Sequence, residues 1–244
     1  MTCLSRILAS IPGGEILDVG CGTGDFTRLL ATGTLRPRSV LGIDPDKDSI
    51  DEARRLTDDR VIRYRVMDLY EAPFRDARFD TVAAGNALHH FRDPLRALGE
   101  IRRLLRDDGV CVIREVISDG LSPAQANTRD IHHFKARIDT LRGHTHRETY
   151  TRESVVDLVV TAGLVVTESC CLDEDADPFG EDDDDGRGLE RATAFLDEYL
   201  AFAESTPAHV ALKAMAASLK IRIAASGLSE PPELVILARN PAAR

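Results

Sequence analysis

Apolar runs of strand length alternate with amphipathic helical stretches from the beginning of the chain to about residue 117. Only a sheet whose strands are joined by crossover helices satisfies that alternation, so a mostly parallel α/β fold is expected and all-helical or all-β classes are excluded. The runs fall at residues 15–19, 39–43, 61–66, 79–84 and 110–116, each rich in Val, Ile or Leu. The clearest helix lies between the fourth and fifth runs. Asp93 can cap it, Pro94 suits its first position, and Leu95, Leu98, Ile101 and Leu105 share a face. Gly109 is expected to end it in a left-handed conformation.

Beyond Val116 the alternation is interrupted. Ser122-Pro123 opens a helical pattern to about Arg142 that contains His132, His133 and Asp139. The α/β pattern resumes with Thr151 as N-cap, a helix through Val160, a stop at Gly163 and a strand at 164–171. Two helical patterns, 189–204 and 208–225, are then separated by Pro207, and a last strand is expected at 233–239. The chain thus reads as one domain, 1–244, with a helical insertion at 118–149 and an excursion at 173–231. With 244 residues, 43% of them hydrophobic, it can bury a core without metal or disulfide support.

The net charge of −10 is misleading, because nine acidic residues sit together between Asp173 and Asp185 with no basic residue among them. That run reads as a solvated loop, and the rest of the chain is near neutral. No basic stripe with interleaved aromatics is present, which argues against nucleic acid as a partner. The five cysteines show no CxxC spacing, so neither a zinc clip nor a disulfide framework is expected, and Cys170-Cys171 reads as a pair of buried, inert thiols. A reducing, cytoplasmic location follows as the expectation. No stretch is apolar over the roughly 20 residues that a membrane span needs.

The first strand runs directly into Asp18-Val19-Gly20-Cys21-Gly22-Thr23-Gly24-Asp25, and an amphipathic helix follows. A glycine-rich turn between a strand and a helix N-terminus lets a ligand approach the backbone closely. Asp25 occupies the position where a dinucleotide fingerprint wants glycine or alanine, and puts a negative charge where two phosphates would lie. A Walker loop is excluded too, since no Gly-Lys-Ser/Thr follows.

With these residues the sequence resembles the class I S-adenosylmethionine-dependent methyltransferases, most closely the methyltransferase-11 type that includes ubiquinone and menaquinone biosynthesis enzymes. The resemblance covers residues 14–117 well and 150–172 in part. It implies a Rossmann-like, mostly parallel seven-stranded sheet with an antiparallel last strand, and S-adenosylmethionine as cofactor. It places the methionine part over Asp18, Gly20, Cys21, Gly22 and Gly24, the ribose on Asp44 beside Pro45, and the adenine at Asp68 between Met67 and Leu69. Asn86 and the residues up to His89 would flank the cofactor. The side chains suit those roles, because a carboxylate accepts from vicinal hydroxyls or from an exocyclic amine. The implied function is methyl transfer to a small-molecule acceptor, with room for a homodimer. Two rivals remain: a methyltransferase-like binding or regulatory subunit, and metal-assisted methylation.

Methyl transfer needs a base only when the acceptor must lose a proton. His89 and His90 near the end of the fourth strand, Glu115 near the end of the fifth, and His133 in the insertion are the catalytic candidates. Asp130 shares a helical face with His133 and is expected to orient its ring, whereas His144 follows Gly143 at a helix end and should matter less. Asp130, His133, His144 and His146 together form a chemically sensible divalent-metal set, though not at a recognised spacing. The insertion itself is expected to act as a lid.

Overall fold

The computed structural model describes residues 2–173 and 188–241. The acidic run, apart from Asp173, lies outside the described residues. Contacts divide the chain into two compact units, one of Met1–Glu115, Glu153–Leu172 and Leu234–Arg244, the other of Val116–Arg152 and Asp173–Glu233.

The first unit holds a seven-stranded sheet built from β1 (Gly14–Val19), β2 (Pro37–Asp44), β3 (Ile62–Val66), β4 (Phe79–Gly85), β5 (Leu105–Val116), β6 (Val165–Leu172) and β7 (Glu233–Arg239). Their order is β3-β2-β1-β4-β5-β7-β6. The first five strands pair in parallel. β7 runs the other way along β5: Asp108 and Gly109 exchange backbone hydrogen bonds with Asn240 at one end, and Ile117 N–H donates to the Pro232 carbonyl at the other. β1 lies between β2 and β4, so the strand order reverses there, and open α/β sheets bind their ligands at the carboxyl ends of the strands beside such a reversal.

Around the sheet run α1 (Cys3–Ser10), α2 (Asp25–Gly33), α3 (Lys47–Arg55), α4 (Pro94–Leu104) and α6 (Arg152–Thr161). Alternation does not announce α1, which precedes the first strand; Thr2 caps it, and Leu4, Ile7 and Leu8 are buried in the core beside Leu30 and Val40. A disulfide joins Cys3 to Cys170 on β6, and an ion pair joins Arg6 to Glu168. This corrects the expectation of unpaired cysteines. Cys171 is a free thiol but only half-buried. Spacing could not reveal the pairing, because the two cysteines are 167 residues apart.

Gly109 does not end α4. The helix stops at Leu104, β5 begins at Leu105, and Asp108 takes the left-handed conformation (φ 59°). Glycine is needed at 109 for closeness, since a Cβ there would lie 2.7 Å from the Arg106 carbonyl oxygen.

The second unit consists of α5 (Pro123–Leu141), α7 (Gly188–Ala201) and α8 (His209–Ser226) with their connections. Ser122 and Gln125 form a reciprocal capping box at the start of α5. The apolar faces of the three helices meet around Ile131, Phe134, Ile138, Leu196, Leu212, Leu219 and Ile223, and the Asn127 amide donates to the Arg222 and Gly227 carbonyls. The segment expected to be a lid is therefore one wall of a helical core of its own.

Candidate active site

The turn after β1 is folded tightly. Gly20 and Cys21 both donate N–H to the Ile43 carbonyl, and Gly24 N–H returns to the Cys21 carbonyl. Gly20, Gly22 and Gly24 all have positive φ. At Gly20 a Cβ would come within 2.9 Å of the Ala87 Cβ, whereas at Gly22 it would meet nothing, so the loop is open on the Gly22 side. Two side chains hold the outer carbonyls: Arg28 donates to Thr23 (2.9 Å) and Tyr64 to Gly24 (3.4 Å).

Asp18 is completely buried. One of its oxygens accepts from the Thr27 hydroxyl at 2.6 Å; the other has no hydrogen-bond partner. Burial above all, and the nearby Asp44 charge to a lesser degree, push its carboxyl up to about 7 against the pull of the Thr27 hydrogen bond. Loss of water likewise raises the Cys21 thiol, so it is no nucleophile.

At the end of β2, Asp44 accepts from Gly22 N–H (3.0 Å) with one oxygen and from Asp46 N–H (2.8 Å) with the other. A carboxylate has about four acceptor positions, so capacity for two hydroxyls remains. Asp68, after β3, accepts from Tyr70 N–H (2.9 Å) and pairs with Arg92 at 3.3 Å. Pro45 is exposed, Met67 half-buried and Leu69 buried around them. Asn86 is exposed at φ 50°, its N–H on the Arg114 carbonyl.

Next to this edge, a short 3-10 turn, Leu88–His90, separates the two neighbouring histidines: His89 is buried and His90 exposed. Glu115 is fully buried; one oxygen bonds His89 Nδ1 and the other accepts from Leu88 N–H at 3.0 Å. Arg114, which alternates with Glu115 on β5, instead approaches the Phe26 ring. Glu115 is thus committed to holding the His89 turn.

In the helical unit the proposed metal set comes apart. Asp130 pairs with Arg129 (2.6 Å) and Arg222 (2.7 Å) and does not orient His133. The His133 Nε2 accepts from Thr149 N–H at 3.0 Å, and burial lowers its pKa. His144 is exposed. His146 is buried, and its partners lie outside the expected ligand set: Nδ1 meets Asp139 at 2.8 Å and Nε2 meets His132 Nε2 at 3.0 Å. A helical repeat cannot show this pairing, because His146 lies beyond the end of α5.

A doubly wound sheet with a glycine loop after β1 and acidic residues ending β2 and β3 is the class I methyltransferase fold. The methyltransferase-11 family, described as a methyltransferase domain, matches residues 17–113. Over 120 residues, 48% of the chain, it is 34% identical to an O-methyltransferase of Penicillium expansum. Over 125 residues, 50% of the chain, it is 32% identical to a ubiquinone/menaquinone biosynthesis C-methyltransferase of Citrifermentans bemidjiense. The chain spans 43% and 52% of those two relatives' lengths. A solved SAM-dependent methyltransferase from Methanosarcina mazei covers 100% of the chain, with 99% of its own length covered, at TM-score 0.61 and 16% identity.

The match to this family implies S-adenosylmethionine as methyl donor. The residues fit it. The unpartnered, buried oxygen of Asp18 wants a cationic donor such as an ammonium, and the open Gly22 side of the loop leaves room for one.

Proposed function

We propose that this protein transfers a methyl group from S-adenosylmethionine to a small-molecule acceptor. The observation that carries the reading is the buried, half-satisfied Asp18 carboxylate beneath a glycine loop, with Asp44 on the neighbouring strand end. When bound, the cofactor supplies an electrophilic methyl on a sulfonium. Asp18 and the loop hold its amino-acid part, Asp44 accepts from its ribose hydroxyls, and Asp68 accepts from its base. The small-molecule acceptor is supported by the O- and C-methyltransferases among the relatives. If the acceptor carries a proton to be lost, His89 is the base, with Glu115 as the positioning residue that fixes its ring through Nδ1. His90, exposed on the same turn, contacts the acceptor.

Calorimetry tests the reading. S-adenosylmethionine binds the wild-type chain, and Asp44→Ala removes two charge-assisted hydrogen bonds worth about 1.5–3 kcal/mol each, weakening binding at least tenfold. Tight NADH binding with none of S-adenosylmethionine would overturn it. Radiolabelled methyl appearing in tRNA and in no small molecule would sink the acceptor class alone.

A further inference from the structure

The helical unit contains a chain of polar side chains that the methyl-transfer reading does not use. Lys135 pairs with Asp139, Asp139 meets His146 Nδ1 at 2.8 Å, and His146 Nε2 lies 3.0 Å from His132 Nε2. His146 and Asp139 are buried. An anionic Asp139, its charge balanced by Lys135, fixes the His146 tautomer: Nδ1 carries the proton and donates it, so Nε2 presents a lone pair toward His132. That is the arrangement in which a carboxylate behind a ring orients a histidine for a metal ion.

The geometry of the facing nitrogens agrees. Two imidazole ligands on a tetrahedral ion at about 2.0–2.1 Å stand about 3.3 Å apart, close to the observed 3.0 Å. The ring centres are 4.7 Å apart with the planes crossing at 82°. A fully in-line N–H···N bond would leave them further apart, so at least one ring does not aim its Nε2 straight at the other. An ion placed off that line can be shared by both. His146 also lines a cavity of about 660 Å³ with Ala136, Thr140, Leu212 and Met215.

We infer that His132 and His146 are two ligands of a divalent transition-metal site, with Asp139 holding His146 in its ligating tautomer and other donors, water among them, completing the set. Imidazole ligands suit zinc, iron, nickel or copper rather than calcium or magnesium. The inference goes beyond methyl transfer and stands whether or not that reading holds.

The test uses the full-length protein, stripped with chelator and dialysed against Zn²⁺, then Co²⁺. One equivalent of zinc per chain is expected, with a Co²⁺ visible spectrum of a histidine-ligated ion. His132→Ala or His146→Ala should abolish binding, Asp139→Asn should weaken it about 10–100-fold, and His144→Ala should leave it unchanged. Circular dichroism checks each variant for folding. Should the alanine variants unfold, nitrogen NMR of the wild type decides: zinc must shift the Nε2 resonances of two histidines and leave their Nδ1 protonated. No zinc equivalent, or full binding by folded His146→Ala protein, overturns the site.

Discussion

At the scale of single residues, Asp18 ties stability to pH. Its carboxyl rises from the usual 3.8 to about 7 on folding, so between those values the folded chain holds a proton that the unfolded chain has released. The stabilisation is complete below the unfolded value and is lost as pH rises toward the folded one. Asp18→Asn keeps an acceptor for Thr27 but cannot ionise. The melting temperature of the ligand-free variant, minus that of wild type, should therefore be near zero at about pH 4, climb with pH, and level off above about pH 7. A difference independent of pH refutes the argument. The same variant should bind S-adenosylmethionine more weakly, trading function for stability. The proposed role of His89 as base is read in turnover: His89→Gln should lower kcat by about 10²-fold with cofactor affinity unchanged, and an unaltered kcat on an acceptor that loses a proton removes it as base.

At the scale of elements, α1 depends on a link that no local pattern encodes. The Cys3–Cys170 disulfide closes most of the chain into one loop, and constraining so long a segment typically contributes about 2–4 kcal/mol. Cys3→Ser should lower the melting temperature as much as a reductant lowers that of wild type, and the reductant should then have no further effect. A variant as stable as oxidised wild type would show that the buried Leu4, Ile7 and Leu8 hold the helix unaided. What could be read from sequence follows the same division between local and distant causes. The strands of the sheet, the Asp93 cap and the Ser122 capping box are written in neighbouring residues, as are the glycines after β1 and the carboxylates ending β2 and β3. Partners such as Cys3 and Cys170, His89 and Glu115, or Asp130 and Arg222 meet only after the chain has folded. Periodicity therefore located His133 and Asp130 on one helix face but could not say that Thr149 and two arginines would claim them.

At the scale of the whole molecule, each unit has a hydrophobic core of its own, which makes their stabilities separately addressable. Phe134 is fully buried among residues of α5, α7 and α8, and Phe134→Ala removes about 3–5 kcal/mol from that cluster by lost burial and a residual cavity. In the proposed reading the cofactor, in contrast, is held by residues of the sheet unit, and at 100 times its Kd it adds about 2.7 kcal/mol to whatever must unfold to release it. Native-state hydrogen exchange reads both effects by element. Phe134→Ala should speed exchange through α5, α7 and α8 while β1 and β4 keep their protection. Saturating S-adenosylmethionine should slow β1, β4 and the first turn of α2 while leaving the three helices as they were. Equal loss of protection in β1 and α5 on replacing Phe134 would mean that the chain opens as one cooperative body, and the second core would then have no separate stability.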